Sequence, residues 1–321
     1  MQATLPYPLD FTKCYWHICD HIIKGESAIK RRIFLMLKIL IVEGNVKELR
    51  DKAVAAGSLA QSDLYQKTLR SLADDLICTI VYPADEGAVL PGEAELTEYD
   101  GIAWTGSALN VYDRGPAIDR QIDFMKRSFA EKNRIFGSCW GLQVAVVAAG
   151  GKVTANAKGR EIGISRDIKI TEEGLSHPLY NGKPVTFDAV TIHLDHAVRL
   201  PAGSRILSGN AMSEIQAVEI KYGESVFWGV QYHPEFDLEY IASLIRRYGK
   251  TLIDEGIRKD DADVEKWAAD LAAAQSSEDG NDMSRQYHLG PDVLDSRCRL
   301  LELSNWLSFV RQGKTDAGVD D

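Results

Sequence analysis

The run Ile135-Phe136-Gly137-Ser138-Cys139-Trp140-Gly141, continuing into Leu142–Ala149, constrains this chain more than any other feature. A short apolar strand enters a turn that carries a cysteine between two glycines. An apolar helix leaves the turn and ends at Gly150-Gly151. That is the layout of a nucleophile elbow, which lifts a reactive side chain to the end of a sheet. Glycine is needed on both sides because the turn is strained and its backbone passes close to neighbouring elements. The positive end of the helix would lower the thiol pKa, and the Trp140 N–H would point at the oxyanion of a tetrahedral intermediate. Cysteine is also a common small buried hydrophobe, so the run alone leaves a packing role open.

An elbow requires a sheet, and the rest of the chain supplies one. Apolar or β-branched runs predict strands at Leu37–Val42, Ile77–Tyr82 and Gly101–Trp104, the last entering the turn Thr105-Gly106-Ser107. Between them, Val46–Leu76 is helix-compatible and punctuated by Gly57, and Ala84–Tyr99 reads as loop with a short helix. Ile118, Ile122, Met125 and Phe129 fall at helical spacing in Ala117–Lys132. Strands alternating with helices predict an α/β fold: a mostly parallel sheet with helices on both faces. Shorter strand candidates at Ile164–Ile170, Val185–Val190, Ile206–Leu207, Gln216–Lys221 and Val226–Tyr232 predict an antiparallel section on the same core. Helices are expected at Leu238–Glu255, Ala262–Ala274 and Val293–Arg311, with a polar linker at Ser276–Asp282. Trp267, Leu300, Leu303, Trp306 and Phe309 read as a packing face on these helices.

Composition narrows the partners. With 37 Lys plus Arg against 47 Asp plus Glu, a net charge of −10 argues against nucleic acid, which needs a basic footprint. Five cysteines in 321 residues form an odd, sparse set that suits reduced thiols and a cytoplasmic location. No apolar run reaches the roughly 18 residues of a membrane span. Lys30-Arg31-Arg32 before Ile33–Leu37 mimics a secretory signal, but Lys38 and Glu43 interrupt the run. The first 35 residues lack periodicity and read as an extension or a misassigned start. Within them Cys14, His17, Cys19 and His21 lie in one short run, whereas zinc ligands usually come from two separated segments. No metal is expected there, nor at His193 and His196 flanking Asp195. His177, before Pro178, reads as a satisfied or solvated histidine.

A base for the cysteine is found in Val230-Gln231-Tyr232-His233-Pro234-Glu235. Thiol catalysis needs a base to take the Cys proton and a third group to fix the base's tautomer. His233 and Glu235 fit those roles if both strand ends lie at the same edge of the sheet.

Gly-Ser-Cys-Trp-Gly together with Gly-Val-Gln-Tyr-His-Pro-Glu resembles the class I, triad-type glutamine amidotransferases over approximately Leu37–Tyr248. The resemblance implies their flavodoxin-like fold over residues 36–250, with 1–35 as an extension and 251–321 as a helical addition. It implies Cys139 as nucleophile, His233 as base and Glu235 as its orienter, with oxyanion donors from Gly106 and Trp140. Gln143, Ser107 and the His193-x-Asp195 segment then fall among the substrate-binding positions. Many members carry Ser-Gly-Gly-Pro where this chain has Thr105-Gly106-Ser107-Ala108, and Cys-Leu-Gly where it has Cys139-Trp140-Gly141. The version here, with Val111-Tyr112-Asp113, is similar to stand-alone GMP-synthase-like amidotransferases and to γ-glutamyl peptidases. The expected activity is hydrolysis of the glutamine side-chain amide through a Cys139 thioester, with no cofactor and with ammonia passed to an acceptor or a separate synthetase subunit. The alternative is a γ-glutamyl peptidase, and a weaker one a non-catalytic binding module. A homo-oligomer is compatible with either enzyme.

Overall fold

The apolar runs pair into one nine-stranded sheet, and the segments between them fold as helices. The computed structural model describes residues 36–275 and 282–317. In chain order the elements are β1 (Leu37–Val42), α1 (Lys47–Ala55), α2 (Gln61–Leu72), β2 (Leu76–Val81), α3 (Glu93–Leu96), β3 (Gly101–Trp104), α4 (Pro116–Ala130), β4 (Arg134–Ser138) and α5 (Trp140–Ala148). These are followed by β5 (Lys152–Ala155), β6 (Glu161–Ile170), α6 (Glu172–Leu175), β7 (Thr186–His193), β8 (Asp195–Arg199), β9 (Arg205–Gly209), β10 (Ala217–Tyr222) and β11 (Ser225–Val230). The remainder is helical: α7 (Leu238–Arg247), α8 (Gly249–Asp254), α9 (Asp261–Gln275), α10 (Asp282–Gln286), α11 (Pro291–Leu294), α12 (Ser296–Arg299) and α13 (Leu301–Ala317). A compact unit runs from Lys38 onward.

The strand order is β2-β1-β3-β4-β11-β10-β9-β6-β7. Pairings β1–β3, β3–β4 and β4–β11 are parallel, and from β11 outward the sheet turns antiparallel. Register matches Trp104 with Gly137 and Ser138 with Val230. The chain therefore leaves β3, β4 and β11 at one edge, where open α/β sheets place their sites.

Helices cover both faces. Ile135 joins the buried cluster of Ile118, Ile122, Met125 and Phe129 on α4, the face expected from their spacing. Its neighbour Phe136 points the other way and packs on Trp306 of α13, ring centroids 5.9 Å apart. Phe309 stacks on Trp228 at 4.5 Å, and a side chain at Gly101 would meet Val310 at 2.9 Å. The C-terminal aromatic face thus packs on the chain's own sheet.

Three elements differ from expectation. β5 and β8 form a separate two-stranded antiparallel sheet, with Val153 opposite Ala197. Four or five half-exposed residues pairing with a distant partner leave no period to read. The expected helix Leu238–Glu255 is two helices joined at Tyr248. The expected helix Val293–Arg311 is three, because the Asp295 carboxylate caps a new start by accepting from Arg297 N–H at 2.8 Å. The Cys14–His21 and Lys30–Arg32 runs lie outside the described residues.

Candidate active site

Cys139 sits between β4 and α5 with φ 48° and ψ −98°, a strained conformation for a side-chain-bearing residue. The glycines flanking it are sterically obligatory. A Cβ on Gly141 would lie 2.9 Å from the Trp104 carbonyl oxygen, and one on Gly137 would lie 2.8 Å from the Gly141 carbonyl carbon. The turn is pinned by the Cys139 N–H donating to Val230 O at 2.7 Å. The Trp140 ring is fully buried, and its indole N–H donates to Gln121 Oε1 at 2.8 Å. Gln121 in turn donates to Gly44 O at 3.0 Å, tying the elbow to the loop after β1.

Burial pushes the Cys139 thiol up to about 12, with the charges of Glu235 and Asp195 acting in the same direction. The Trp140 N–H and the Gln231 amide oppose this by favouring the thiolate. The expectation of a lowered thiol pKa is therefore corrected. The helix start acts in the expected sense, but desolvation of a buried thiolate outweighs it.

Extended backbone after β11 alternates side chains: Gln231 and His233 face the cysteine side, and Tyr232 faces away. The His233 N–H donates to Val190 O at 2.8 Å, and its ring stacks on Phe236 with centroids 3.9 Å apart. Nδ1 of His233 lies 2.7 Å from Glu235 Oε1, so the carboxylate selects the tautomer with the hydrogen on Nδ1. That leaves the lone pair on Nε2. Ser138 Oγ donates to Glu235 Oε2 at 2.9 Å and is itself hydrogen-bonded to the Tyr65 hydroxyl. Both Glu235 oxygens are thereby engaged, and the group is 3% exposed.

Gly106 follows β3 and passes so close to His233 that a Cβ there would be 2.7 Å from its Cε1. Its loop is held by Asn45, whose Oδ1 accepts from Ser107 Oγ at 3.2 Å and from Ala108 N–H at 3.0 Å. Asn45 is positioned by buried Glu43, which accepts its N–H at 2.9 Å and the Ser62 N–H at 2.7 Å. Burial raises the Glu43 pKa despite these bonds.

Cys139, His233, Gln143, Ser107, His193 and Asp195 all line one cavity of about 440 Å³, within the usual range of small-molecule sites. Gln143 Nε2 donates to Asp195 O at 3.1 Å. Asp195 Oδ1 accepts from the Tyr112 hydroxyl at 2.8 Å, and burial raises its carboxyl. His193 is engaged at both nitrogens, Nδ1 by Asp195 O at 3.0 Å and Nε2 by Glu161 at 2.9 Å. Burial opposes the Glu161 charge, yet hydrogen bonds led by His193 hold its pKa below the usual value.

Two histidines are placed elsewhere. His196 turns to Ser213, and His177 caps the 3₁₀ turn Pro178–Tyr180 through Leu179 N–H while meeting Glu219 at 3.0 Å. His177 is thus a satisfied buried histidine. Among the described residues no group of three or more His, Cys, Asp or Glu is placed to hold a metal. None of their helices is long and apolar enough to cross a membrane. Tyr65, Glu43, Asn45 and Gln61 enter the site through tertiary contacts that no local motif announces, and Ser138 and Tyr112, though inside quoted motifs, make contacts there that the motifs do not announce.

Residues 63–247 match the glutamine amidotransferase class-I family model. The chain belongs to that family. It is 34% identical over 277 residues to a γ-glutamyl-L-1-hydroxyisopropylamide hydrolase from Pseudomonas sp., covering 85% of this chain and 93% of that one. It is 28% identical over 159 residues to γ-glutamyl peptidase 4 from Arabidopsis thaliana, covering 49% of this chain and 62% of that relative. A stretch of 135 residues, 42% of this chain and 24% of the relative, is 32% identical to a GMP synthase from Neisseria meningitidis. A solved glutamine amidotransferase from Thermotoga maritima shares the fold with a TM-score of 0.57 at 16% identity, over 86% of this chain and 98% of that one. Family and relatives together support a hydrolase.

Proposed function

We propose that the protein hydrolyses γ-glutamyl amides by thiol catalysis, with Cys139 as nucleophile, His233 as base and Glu235 as its orienter. The observation that carries this is the 2.7 Å His233–Glu235 pair opening onto the cavity lined by the strained Cys139. Since the buried thiol is protonated at rest, the base must act during attack. His233 Nε2 takes the Cys139 proton as Sγ bonds to the amide carbonyl carbon, and the carbonyl π pair moves to oxygen. The N–H groups of Gly106 and Trp140 receive that oxyanion, each donor contributing roughly 10²–10³ in rate. Collapse breaks the C–N bond, and His233 passes its proton to the departing amine. Water, deprotonated by His233, then attacks the thioester, and the thiol leaves with that proton. The sum is γ-glutamyl amide plus water giving glutamate plus amine.

Asp195 suits the substrate's α-ammonium group, with Gln143, Ser107 and His193 shaping the wall around it. Residues 36–250 would form the catalytic domain and 251–321 a helical addition that supports it. The described cysteines, Cys78, Cys139 and Cys298, are free thiols, which suits the reducing cytoplasm. A second reading, hydrolysis of glutamine itself with ammonia delivered to a partner synthetase, is favoured by the family match and the GMP synthase relative.

Glutamate release from glutamine and from γ-glutamyl amides, compared between wild type and Cys139→Ala, tests the proposal. We expect release to fall to background in the variant and γ-glutamyl amides to be turned over faster than glutamine. Activity surviving the substitution would refute the nucleophile assignment, and a preference for glutamine would favour the second reading.

A further inference from the structure

Past Cys139 the cavity runs between α1 and the α7–α8 pair. Leu49, Lys52 and Ala53 share one face of α1, and Leu244, Arg247 and Thr251 continue the same helical spacing on the opposite wall. In a chain of net charge −10, the cavity wall holds four Lys and Arg side chains and, among the described residues, one carboxylate, Asp195. Two of these cations are neutralised from outside the wall: Arg50 by Asp85 at 2.5 Å and Arg160 by Glu255 at 2.8 Å. The side chains of Lys52 and Arg247 make no hydrogen bond or ion pair among the described residues, and both residues line the cavity while exposed to solvent. Beside the base lies a third unused group. Gln61 Oε1 is buried with no hydrogen-bond partner, at the spot where it would be 2.7 Å from a Cβ on Gly106.

We propose that this cleft is a leaving-group subsite in which Lys52 and Arg247 receive a carboxylate on the departing amine. The favoured substrates are then γ-glutamyl α-amino acids. The inference rests on Cys139 acting on γ-glutamyl amides. With the glutamyl ammonium at Asp195 and the scissile carbonyl at Cys139, the amine portion extends away from Asp195, along α1 and α7. Gln61 Oε1 offers an acceptor to the scissile N–H. Unpaired cations beside it form charge-assisted bonds with a carboxylate, whereas a neutral leaving group leaves them facing water. They also draw anionic substrates to the mouth of an otherwise acidic protein.

The test compares kcat/KM of the full chain for γ-glutamyl-L-alanine and γ-glutamyl-L-1-hydroxyisopropylamide. The two share a skeleton, and a hydroxymethyl replaces the carboxylate in the second. We expect wild type to prefer the acid by about tenfold, the scale of a charge-assisted hydrogen bond. Lys52→Met and Arg247→Met should each lower that ratio, and Arg247→Glu should invert it. Lys250→Met, removing an exposed lysine that is paired with Asp254, should leave the ratio unchanged. Equal kcat/KM for the two compounds, or a ratio unmoved at both positions, overturns the subsite while hydrolysis stands. Turnover of neither compound overturns the hydrolase reading and the subsite with it.

Discussion

Glu235 and Glu302 sit on opposite sides of the strand end at Gln231–His233, both essentially closed to water, and they do different work. Glu235 is two residues from His233 and meets its Nδ1 at 2.7 Å. Glu302 arrives from α13 and accepts the Tyr232 hydroxyl at 2.8 Å while pairing with Lys183 at 3.0 Å. Alternation along the chain separates the two roles: His233 turns into the cavity, and Tyr232 turns toward the helix. One carboxylate selects a tautomer of His233, and the other clamps the backbone that carries it. A buried carboxylate can thus orient a ring or anchor a helix within a few residues of the same strand end.

The largest expected effect breaks the first role. Glu235→Gln keeps size and polarity but can present an N–H to Nδ1 and so favour the wrong tautomer. We expect kcat to fall by about 10²–10⁴, the usual worth of general acid–base catalysis, with a small change in stability. A kcat within tenfold of wild type would show that His233 needs no carboxylate.

Glu302→Ala strikes the second. It leaves the Lys183 ammonium, whose side chain is 2% exposed, with the Cys298 carbonyl but no counter-ion, and removes the carboxylate that accepts the Tyr232 hydroxyl. Denaturant unfolding should show a loss of about 3–5 kcal/mol, as for other broken buried pairs. The double variant Glu302→Leu with Lys183→Met should recover much of it, because removing both charges leaves neither stranded. If the double variant were no better than the single, the ion pair would not be what anchors α13.

This contrast also explains how much could be read from the chain alone. Cys139 with its glycines, and His233 with Glu235, are legible because each motif is local and its spacing states its geometry. The sheet was legible because apolar runs and their punctuation carry a period. Glu302 was not: it stands on a helix whose apolar positions suggest packing, and its partners lie 70 and 119 residues away. Ser138 was inside the motif, yet its bond to Glu235 spans 97 residues. The thiol expectation failed for the same reason. The helix start is adjacent to Cys139 in sequence, whereas the burial and the Glu235 and Asp195 charges that outweigh it come from tertiary structure.

The smallest effects separate the regions by single hydroxyls. Tyr65 is fully buried, and its hydroxyl ends the line Tyr65–Ser138–Glu235–His233. Tyr232 ends the line to Glu302 and also meets the Tyr180 hydroxyl at 3.1 Å. Burial raises both phenols, so each stays protonated and able to donate. Phenylalanine removes one hydrogen bond at Tyr65 and two at Tyr232, each worth about 1 kcal/mol. At Tyr65 the loss frees Ser138 Oγ to rotate away from Glu235, loosening the carboxylate that orients the base. It should appear mainly as a kcat lowered roughly fivefold. At Tyr232 the deletion should cost about 2 kcal/mol of stability, one for each bond lost, and leave kcat within about twofold, because α13 still has its Lys183 pair and its apolar face. Unfolding curves and steady-state kinetics on both variants decide it. A Tyr65→Phe protein that loses stability but keeps its kcat would reduce the Ser138 line to packing and leave the direct bond to His233 as what sets Glu235 apart from Glu302.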